Sequence, residues 1–264
     1  FNVEREQFVA APGLVDLLAA LDRSPTDLLQ QYANQNTAFA QGRSSTLALT
    51  TDDRYLVVVN RASQSVSVIE VRDSSGKDVS EKIAEIPVDN DPQFVALSPD
   101  DRYAFVTHGR DGTLSVIDLV RRTVANSGIA VGSEPRGIVV SPNGNYVFVA
   151  NHTEGSVSVL RTATLRVINR VPVGAQPYAL AVTNDGDRDD QDETVYVTQF
   201  FGRLIEGRVD GFNDAKEGVV SAFPVEDALS GRVAVREITL QPLDSGFAAD
   251  RRQYCLNTRQ ALQQ

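Results

Sequence analysis

Residues Ser141 to Leu160 read SPNGNYVFVANHTEGSVSVL, and the same sentence is spelled at least twice more. Ser98 to Ile117 reads SPDDRYAFVTHGRDGTLSVI, and Thr50 to Ile69 reads TTDDRYLVVVNRASQSVSVI. Thr183 to Gln199, TNDGDRDDQDETVYVTQ, is a stretched fourth copy. Each copy predicts a turn followed by a strand, then a second turn and a second strand. The copies align on the tetrads Val57-Val58-Val59-Asn60, Phe105-Val106-Thr107-His108, Phe148-Val149-Ala150-Asn151 and Tyr196-Val197-Thr198-Gln199, spaced by 48, 43 and 48 residues. Self-similarity at this period marks a repeat architecture.

Each unit offers short runs rich in Val, Ile and Phe, separated by turns built from Pro, Asp, Asn and Gly. Such runs form small antiparallel sheets. A lone four-stranded sheet cannot bury both of its faces, whereas several packed radially around an axis can. The expected class is therefore all-β, a β-propeller of four-stranded antiparallel blades. Asn143-Gly144 reads as a two-residue hairpin turn, because both residue types tolerate positive φ.

The tetrads, with Ser-Pro-Asp-Gly-like turns before them, resemble the YVTN-type β-propeller repeat family of exported proteins. The links between units match as well: Ile86-Pro87-Val88, Ala130-Val131-Gly132 and Val171-Pro172-Val173-Gly174 each precede a loop with Pro92, Pro135 or Pro177. The resemblance covers roughly Leu47 to Leu240. It implies blades at 47–94, 95–137, 138–179 and 180–240, and a larger, usually seven-bladed ring of which about four blades are visible. The last blade carries two insertions, the acidic run Asp185 to Glu193 and the loop Phe200 to Gly218.

Residues 1–46 do not fit the repeat. Leu14, Val15, Leu17, Leu18 and Leu21 lie at helical spacing, and Ser24-Pro25 opens a second helical stretch carrying Leu28, Leu29 and Tyr32. These predict a short helical N-terminal segment. The tail, 241–264, is polar and contains the single Cys255, for which a disulfide partner outside the chain is expected. The sequence has no Met, so Phe1 reads as the start of a processed or partial chain. Missing chain or a partner subunit is expected to cover the open edges of the arc.

With a net charge of −10, the 264 residues lack the basic face that nucleic-acid binding needs. No apolar run reaches the ~20 residues of a membrane-spanning helix. No catalytic motif stands out, neither a nucleophile elbow nor a phosphate-binding glycine loop. Asn151-His152-Thr153 fits a glycosylation sequon.

Three sets of residues carry the chemistry. The tetrads end on Asn60, His108, Asn151 and Gln199, polar groups expected to bond to nearby turn backbone, with His108 the one that can also act as a ligand or acid–base group. Gln93, Arg136 and Tyr178 follow the inter-blade prolines and should ring one mouth of the central channel, where varied residues on a repeated frame can bind a ligand. In the acidic insertion, Asp185, Asp187, Asp189, Asp192 and Glu193 can converge on a hard cation, and all-oxygen ligation suits Ca²⁺. Zinc lacks a Cys/His cluster, and no C-x-x-C-H is present for covalent haem. No haem site is expected within these residues.

The expected function is a non-catalytic binding or scaffolding module, periplasmic or extracellular, joined to a protein partner or to further blades. The resemblance also implies an alternative: the propeller portion of a periplasmic redox enzyme with a c-type cytochrome or quinone partner domain, or a lactonase-like hydrolase.

Overall fold

The computed structural model describes residues 46–208 and 215–242, which form four antiparallel sheets. The N-terminal helical segment, Cys255 and nearly all of the polar tail lie outside the described residues. The first sheet holds β1 (Leu47–Leu49), β2 (Tyr55–Asn60), β3 (Ser65–Arg72) and β4 (Asp78–Pro87). The second holds β5 (Pro92–Leu97), β6 (Tyr103–His108), β7 (Thr113–Asp118) and β8 (Thr123–Ala130). The third holds β9 (Pro135–Val140), β10 (Tyr146–Asn151), β11 (Ser156–Arg161) and β12 (Arg166–Pro172). In each, strands pair in chain order, as expected of a propeller blade.

The fourth sheet differs. Its core runs β13 (Pro177–Val182), β14 (Thr194–Gln199), β16 (Lys216–Pro224) and β17 (Arg236–Leu240), with a fifth strand, β15 (Arg203–Leu204), paired to the start of β16. The insertion expected as a loop thus adds a two-residue strand. A six-residue helix, α1 (Val225–Ser230), joins β16 to β17 and buries Val225 and Ala228. It ends on Gly231 at φ 75, a left-handed C-cap that costs glycine least.

Every tetrad lies in the second strand of its sheet, in one shared register. Val57 opposes Ala48 and Val68, Phe105 opposes Ala96 and Val116, Phe148 opposes Val139 and Val159, and Tyr196 opposes Ala181 and Ala222. Alternation sends the first tetrad residue toward the following blade and the second toward the preceding one. Three apolar clusters result, one at each blade junction. Val57 packs with Val95 and Val106, Phe105 with Ile138 and Val149, and Phe148 with Leu180 and Val197. Burying such a side chain is worth roughly 1.5–3 kcal/mol. Tyr196, on the far face of the fourth blade, and Val58, on the near face of the first, are only half-buried. Among the described residues no strand pairing joins β1 to the fourth sheet.

Two local expectations need correction. The blade boundaries at 94/95, 137/138 and 179/180 fall inside β5, β9 and β13, because each inner strand begins at its proline. Regular pairing starts three residues later, since Gln93-Phe94, Arg136-Gly137 and Tyr178-Ala179 each oppose a single residue of the neighbouring strand. These are β-bulges, which re-aim side chains at strand ends. Asn143-Gly144 is not a two-residue hairpin. The connection spans Ser141 to Asn145, with Ser141 N donating to the Tyr146 carbonyl at 2.9 Å and Gly144 N to the Ser141 carbonyl at 2.9 Å. Only Gly144 has positive φ, a role Asp53 and Asp101 fill in the first two blades.

One glycine follows from packing between blades. A Cβ on Gly132 would lie 2.4 Å from Asn151 Cγ, in a contact with no slack. Gly132→Ala is expected to cost about 2–4 kcal/mol through overpacking and a broken polar contact. It should appear as a lower urea midpoint with an unchanged m-value.

Candidate functional site

The tetrad ends form a polar joint between consecutive blades. Asn151 Nδ2 donates to Ser156 Oγ at 3.1 Å, Ser158 Oγ at 2.9 Å and the Val131 carbonyl at 3.4 Å, while Ser158 Oγ also donates to that carbonyl. One junction later, Gln199 Nε2 and Ser221 Oγ both donate to the Val173 carbonyl, at 3.2 and 2.8 Å. Asn60 Nδ2 donates to Ser65 and Ser67. The expected bonds to turn backbone are therefore replaced by a serine ladder on the third strand and a carbonyl from the preceding blade's exit. Asn151 is fully buried, so its sequon is closed to glycosylation in the folded chain.

His108 varies this joint. The position that is Gly132 or Gly174 at the later junctions is Asp89 here. Ser115 Oγ donates to Asp89 Oδ2 at 3.3 Å, which leaves His108 Nε2 to donate to Ser115 Oγ at 2.9 Å. Nδ1 then presents a lone pair that is buried without a hydrogen-bond partner. Burial pushes the imidazole below the usual histidine range, opposed by the Asp89 carboxylate. At 0% exposure, His108 is enclosed within the blade junction and does not line the mouth expected for it.

The rim at the start of the inner strands brings most of the other expected residues together. Asp91, Glu134 and Gln176, each before its proline, sit at φ 55–56. Their carbonyls accept the amides of Gly109, His152 and Phe200, at 2.9, 3.0 and 2.9 Å. The left-handed turn and the bulge after it throw Gln93, Arg136 and Tyr178 onto one edge. Arg136 Nη1 donates to Gln93 Oε1 at 2.5 Å and Nη2 pairs with Glu134, which also accepts from Thr153 Oγ1. Thr153 first, then Arg136, hold the Glu134 carboxyl below the usual carboxylate range.

Tyr178 belongs to an aromatic wall with partners that the sequence reading did not single out. Its ring lies 5.5 Å from Phe94, 6.2 Å from His152 and 5.0 Å from Phe200, and Phe200 stacks edge-on with Phe201 at 4.7 Å. Phe200 and Phe201 are 53% and 59% exposed. His152 Nδ1 lies 3.2 Å from the Pro177 carbonyl. A carbonyl can only accept, so Nδ1 carries a proton, and in the neutral ring Nε2 presents its lone pair, with no hydrogen-bond partner among the described residues. Imidazoles that bind metals are oriented in this way. The signal was available: Arg61, Gly109, His152 and Phe200 each follow their tetrad directly.

The acidic insertion splits into two roles. Ligand atoms of Asp185, Asp192 and Glu193 lie within 4.8 Å of one another. Asp187 and Asp189 stand outside that group, accepting the amides of Asp189 and Gln191. Loss of water, then Asp187 and Asp185, raise the Asp192 carboxyl. Asp190, 2% exposed, instead reaches back to the third blade, accepting from Ser141 Oγ at 2.8 Å, Asn143 N at 2.7 Å and Asn145 Nδ2 at 2.8 Å. In the first two blades Asp52 and Asp100 accept the turn hydroxyl from within their own turns. Asn143 occupies that place in the third, and Asp190 supplies the missing carboxylate.

A family model described as the cytochrome D1 heme domain matches residues 50–186, just over half of the chain. The chain belongs to the cytochrome D1 heme domain family. No curated protein matches it at the sequence level. Among solved structures, a hydrazine synthase from Kuenenia stuttgartiensis is similar with a TM-score of 0.57 at 20% identity, over 74% of this chain and 48% of that one. A putative 6-phosphogluconolactonase from Bacteroides fragilis matches with a TM-score of 0.54 at 14% identity, over 75% of this chain and 55% of that one. This member of the D1 family thus spans about half the length of the structures it resembles, and at these identities the likeness concerns the fold.

The family name implies a haem, and the two histidines of the chain meet that implication differently. His108 does not fit, being sealed with Nε2 on Ser115. His152 fits as a nitrogen donor, since its Nδ1 is anchored, its Nε2 has no hydrogen-bond partner among the described residues and aromatic rings flank it. The absence of C-x-x-C-H bears on thioether attachment only.

His108 makes stability depend on pH. Its folded pKa lies below the unfolded value, so the unfolded chain takes up the proton first, and stability falls as pH drops below about 6.5. The double variant His108→Asn/Asp89→Gly, which rebuilds the Asn151–Gly132 arrangement, is expected to flatten this dependence between pH 7 and 5 in urea titrations.

Proposed function

We propose that the chain is the propeller portion of a redox protein whose working surface is the rim around His152. The observation that carries this reading is the free Nε2 of His152 within the aromatic wall, in a chain of the D1 heme domain family. His152 would hold a haem through Nε2, and Tyr178 and Phe200 would keep the imidazole packed in place. When bound, the haem would supply a redox-active iron. The chain's own residues orient the imidazole through the Pro177 carbonyl and shield its face from water. Arg136, paired with Glu134 and bonded to Gln93, adds a charged group to the same rim. This reading replaces the scaffold expectation with its redox alternative, and non-covalent haem binding replaces the expectation that haem lies elsewhere.

The finer assignments belong to the same proposal. The tetrads make the repeat YVTN-type, further blades or a cytochrome domain extend the ring, and the protein works outside the cytoplasm. Haem titration of the purified chain should give a shifted Soret band with the wild type. His152→Ala should remove that shift while the far-ultraviolet circular dichroism stays unchanged. An equal shift in the variant would remove His152 from the role.

We also assign Ca²⁺ to Asp185, Asp192 and Glu193, three carboxylates gathered where no Lys or Arg among the described residues is hydrogen-bonded to them. The ion would sit beside Asp190 and stiffen the strap from the fourth blade to the third. Millimolar Ca²⁺ is expected to raise the melting temperature by several degrees, as binding to the native state alone requires. Asp192→Asn should abolish the response, and identical melting with Ca²⁺ and with EDTA would remove the assignment.

A further inference from the structure

The turn after each tetrad meets the loop that enters the next blade, and the first of these meetings is filled unlike the second. Where the second carries Gly109, Gly112, Ser133 and Thr153, the first carries Arg61, Gln64, Asn90 and Arg110. The backbone frame beneath them is the same. Asn90 N donates to Asp111 Oδ2 at 3.1 Å, as Ser133 N donates to Glu154 Oε2 at 3.2 Å. Val88 N and Val131 N donate to the carbonyls of Gln64 and Gly112, each at 2.9 Å. Gln64 even keeps the left-handed backbone of its counterpart, φ 52 against 70 for Gly112, although side chains rarely adopt it.

Arg61, Gln64, Asn90, Asp91 and Arg110 line a cavity of about 350 Å³. That volume falls within the range of small-molecule sites. All of these residues are polar, and all but the half-buried Asp91 are exposed, so a ligand in the cavity can reach them. The lining holds more cations than anions. Asp91 is hydrogen-bonded to Arg61 through the Arg61 Nε, which leaves both Arg61 Nη groups without a hydrogen-bond partner among the described residues. Arg110 occupies the place from which Thr153 donates to Glu134 in the next blade, yet it makes no such bond to Asp91. Its guanidinium has no hydrogen-bond or ion-pair partner among the described residues. Asp111, next along the chain, is committed to Asn90 N and Nδ2 and does not line the cavity. Two guanidinium groups thus face one carboxylate, and the unmet donors are of the kind that pair bidentately with a carboxylate.

We propose that this cavity binds a small hydroxylated carboxylate, its carboxylate accepting from Arg110 and the Arg61 Nη groups and its hydroxyls exchanging hydrogen bonds with the side-chain amides of Gln64 and Asn90. One negative charge balances the lining. With no aliphatic or aromatic side chain among the five residues, an apolar body would lose water and gain no hydrocarbon contact. A neutral sugar meets only the amides, and an apolar carboxylate meets only the guanidinium groups. The site shares no residue with the His152 rim or the acidic insertion.

The test is calorimetric titration of the purified chain with sodium glucuronate, glucose and sodium cyclohexanecarboxylate. Glucuronate is expected to bind at least tenfold more tightly than glucose and at least threefold more tightly than cyclohexanecarboxylate, with affinity falling as salt rises. Arg110→Thr, which installs the residue found at this place in the third blade, should lower glucuronate affinity at least tenfold with melting unchanged. Gln64→Gly restores the glycine of the later blades and keeps both guanidinium groups; it should lower glucuronate affinity at least threefold. No binding of glucuronate, equal binding of glucose or of cyclohexanecarboxylate, or undiminished affinity in Arg110→Thr overturns the proposal.

Discussion

At the second and third junctions between blades a backbone carbonyl accepts from a tetrad end and a buried serine of the following blade. At the first the Asp89 carboxylate accepts from Ser115 Oγ and Gly128 N, and the arc depends on satisfying these acceptors. Val131 and Val173 present their carbonyls to Asn151 with Ser158 and to Gln199 with Ser221. An unmet buried acceptor costs on the order of 1–3 kcal/mol, comparable to losing an apolar contact. The apolar clusters hold neighbouring blades together without specifying an angle. Directional bonds from a tetrad end and a third-strand serine supply the register, and Gly132 is required because the donor needs the space of its Cβ.

The same economy shapes the rim. A left-handed residue before each proline, followed by a bulge, turns the chain into the inner strand and releases two side chains from the alternation of the sheet. Those positions carry no packing duty that repeats, so they differ between blades: Gln93, Arg136 and Tyr178 on one ring, Gly109, His152 and Phe200 on another. Function gathers where identical backbone geometry meets unlike side chains. The aromatic wall arises because two successive junctions place Phe94, His152, Tyr178 and Phe200 within stacking distance.

Departures from the repeat are compensated across blades. Asn143 replaces the turn carboxylate of the third blade, and Asp190 of the next blade restores it from the acidic insertion. His108 replaces an amide, and Asp89 replaces the glycine that such an amide needs. Each exchange conserves hydrogen bonding at a junction rather than within one unit.

The repeat, its antiparallel sheets and the place of each tetrad in the second strand were legible in the sequence, because alternation of apolar residues and turn punctuation are local properties. So was the equivalent placement of Gln93, Arg136 and Tyr178 after the prolines, since spacing from a proline carries over from blade to blade. The bulges moved the strand starts to the prolines, as pairing register depends on the neighbouring strand. The acidic run could be seen, but not its division: Asp190 looks like its neighbours in sequence and differs only in facing the third blade. His152 was passed over and His108 favoured for a parallel reason. Burial and the orientation of an imidazole are set by what lies across a junction, and only the packed blades decide which nitrogen remains free.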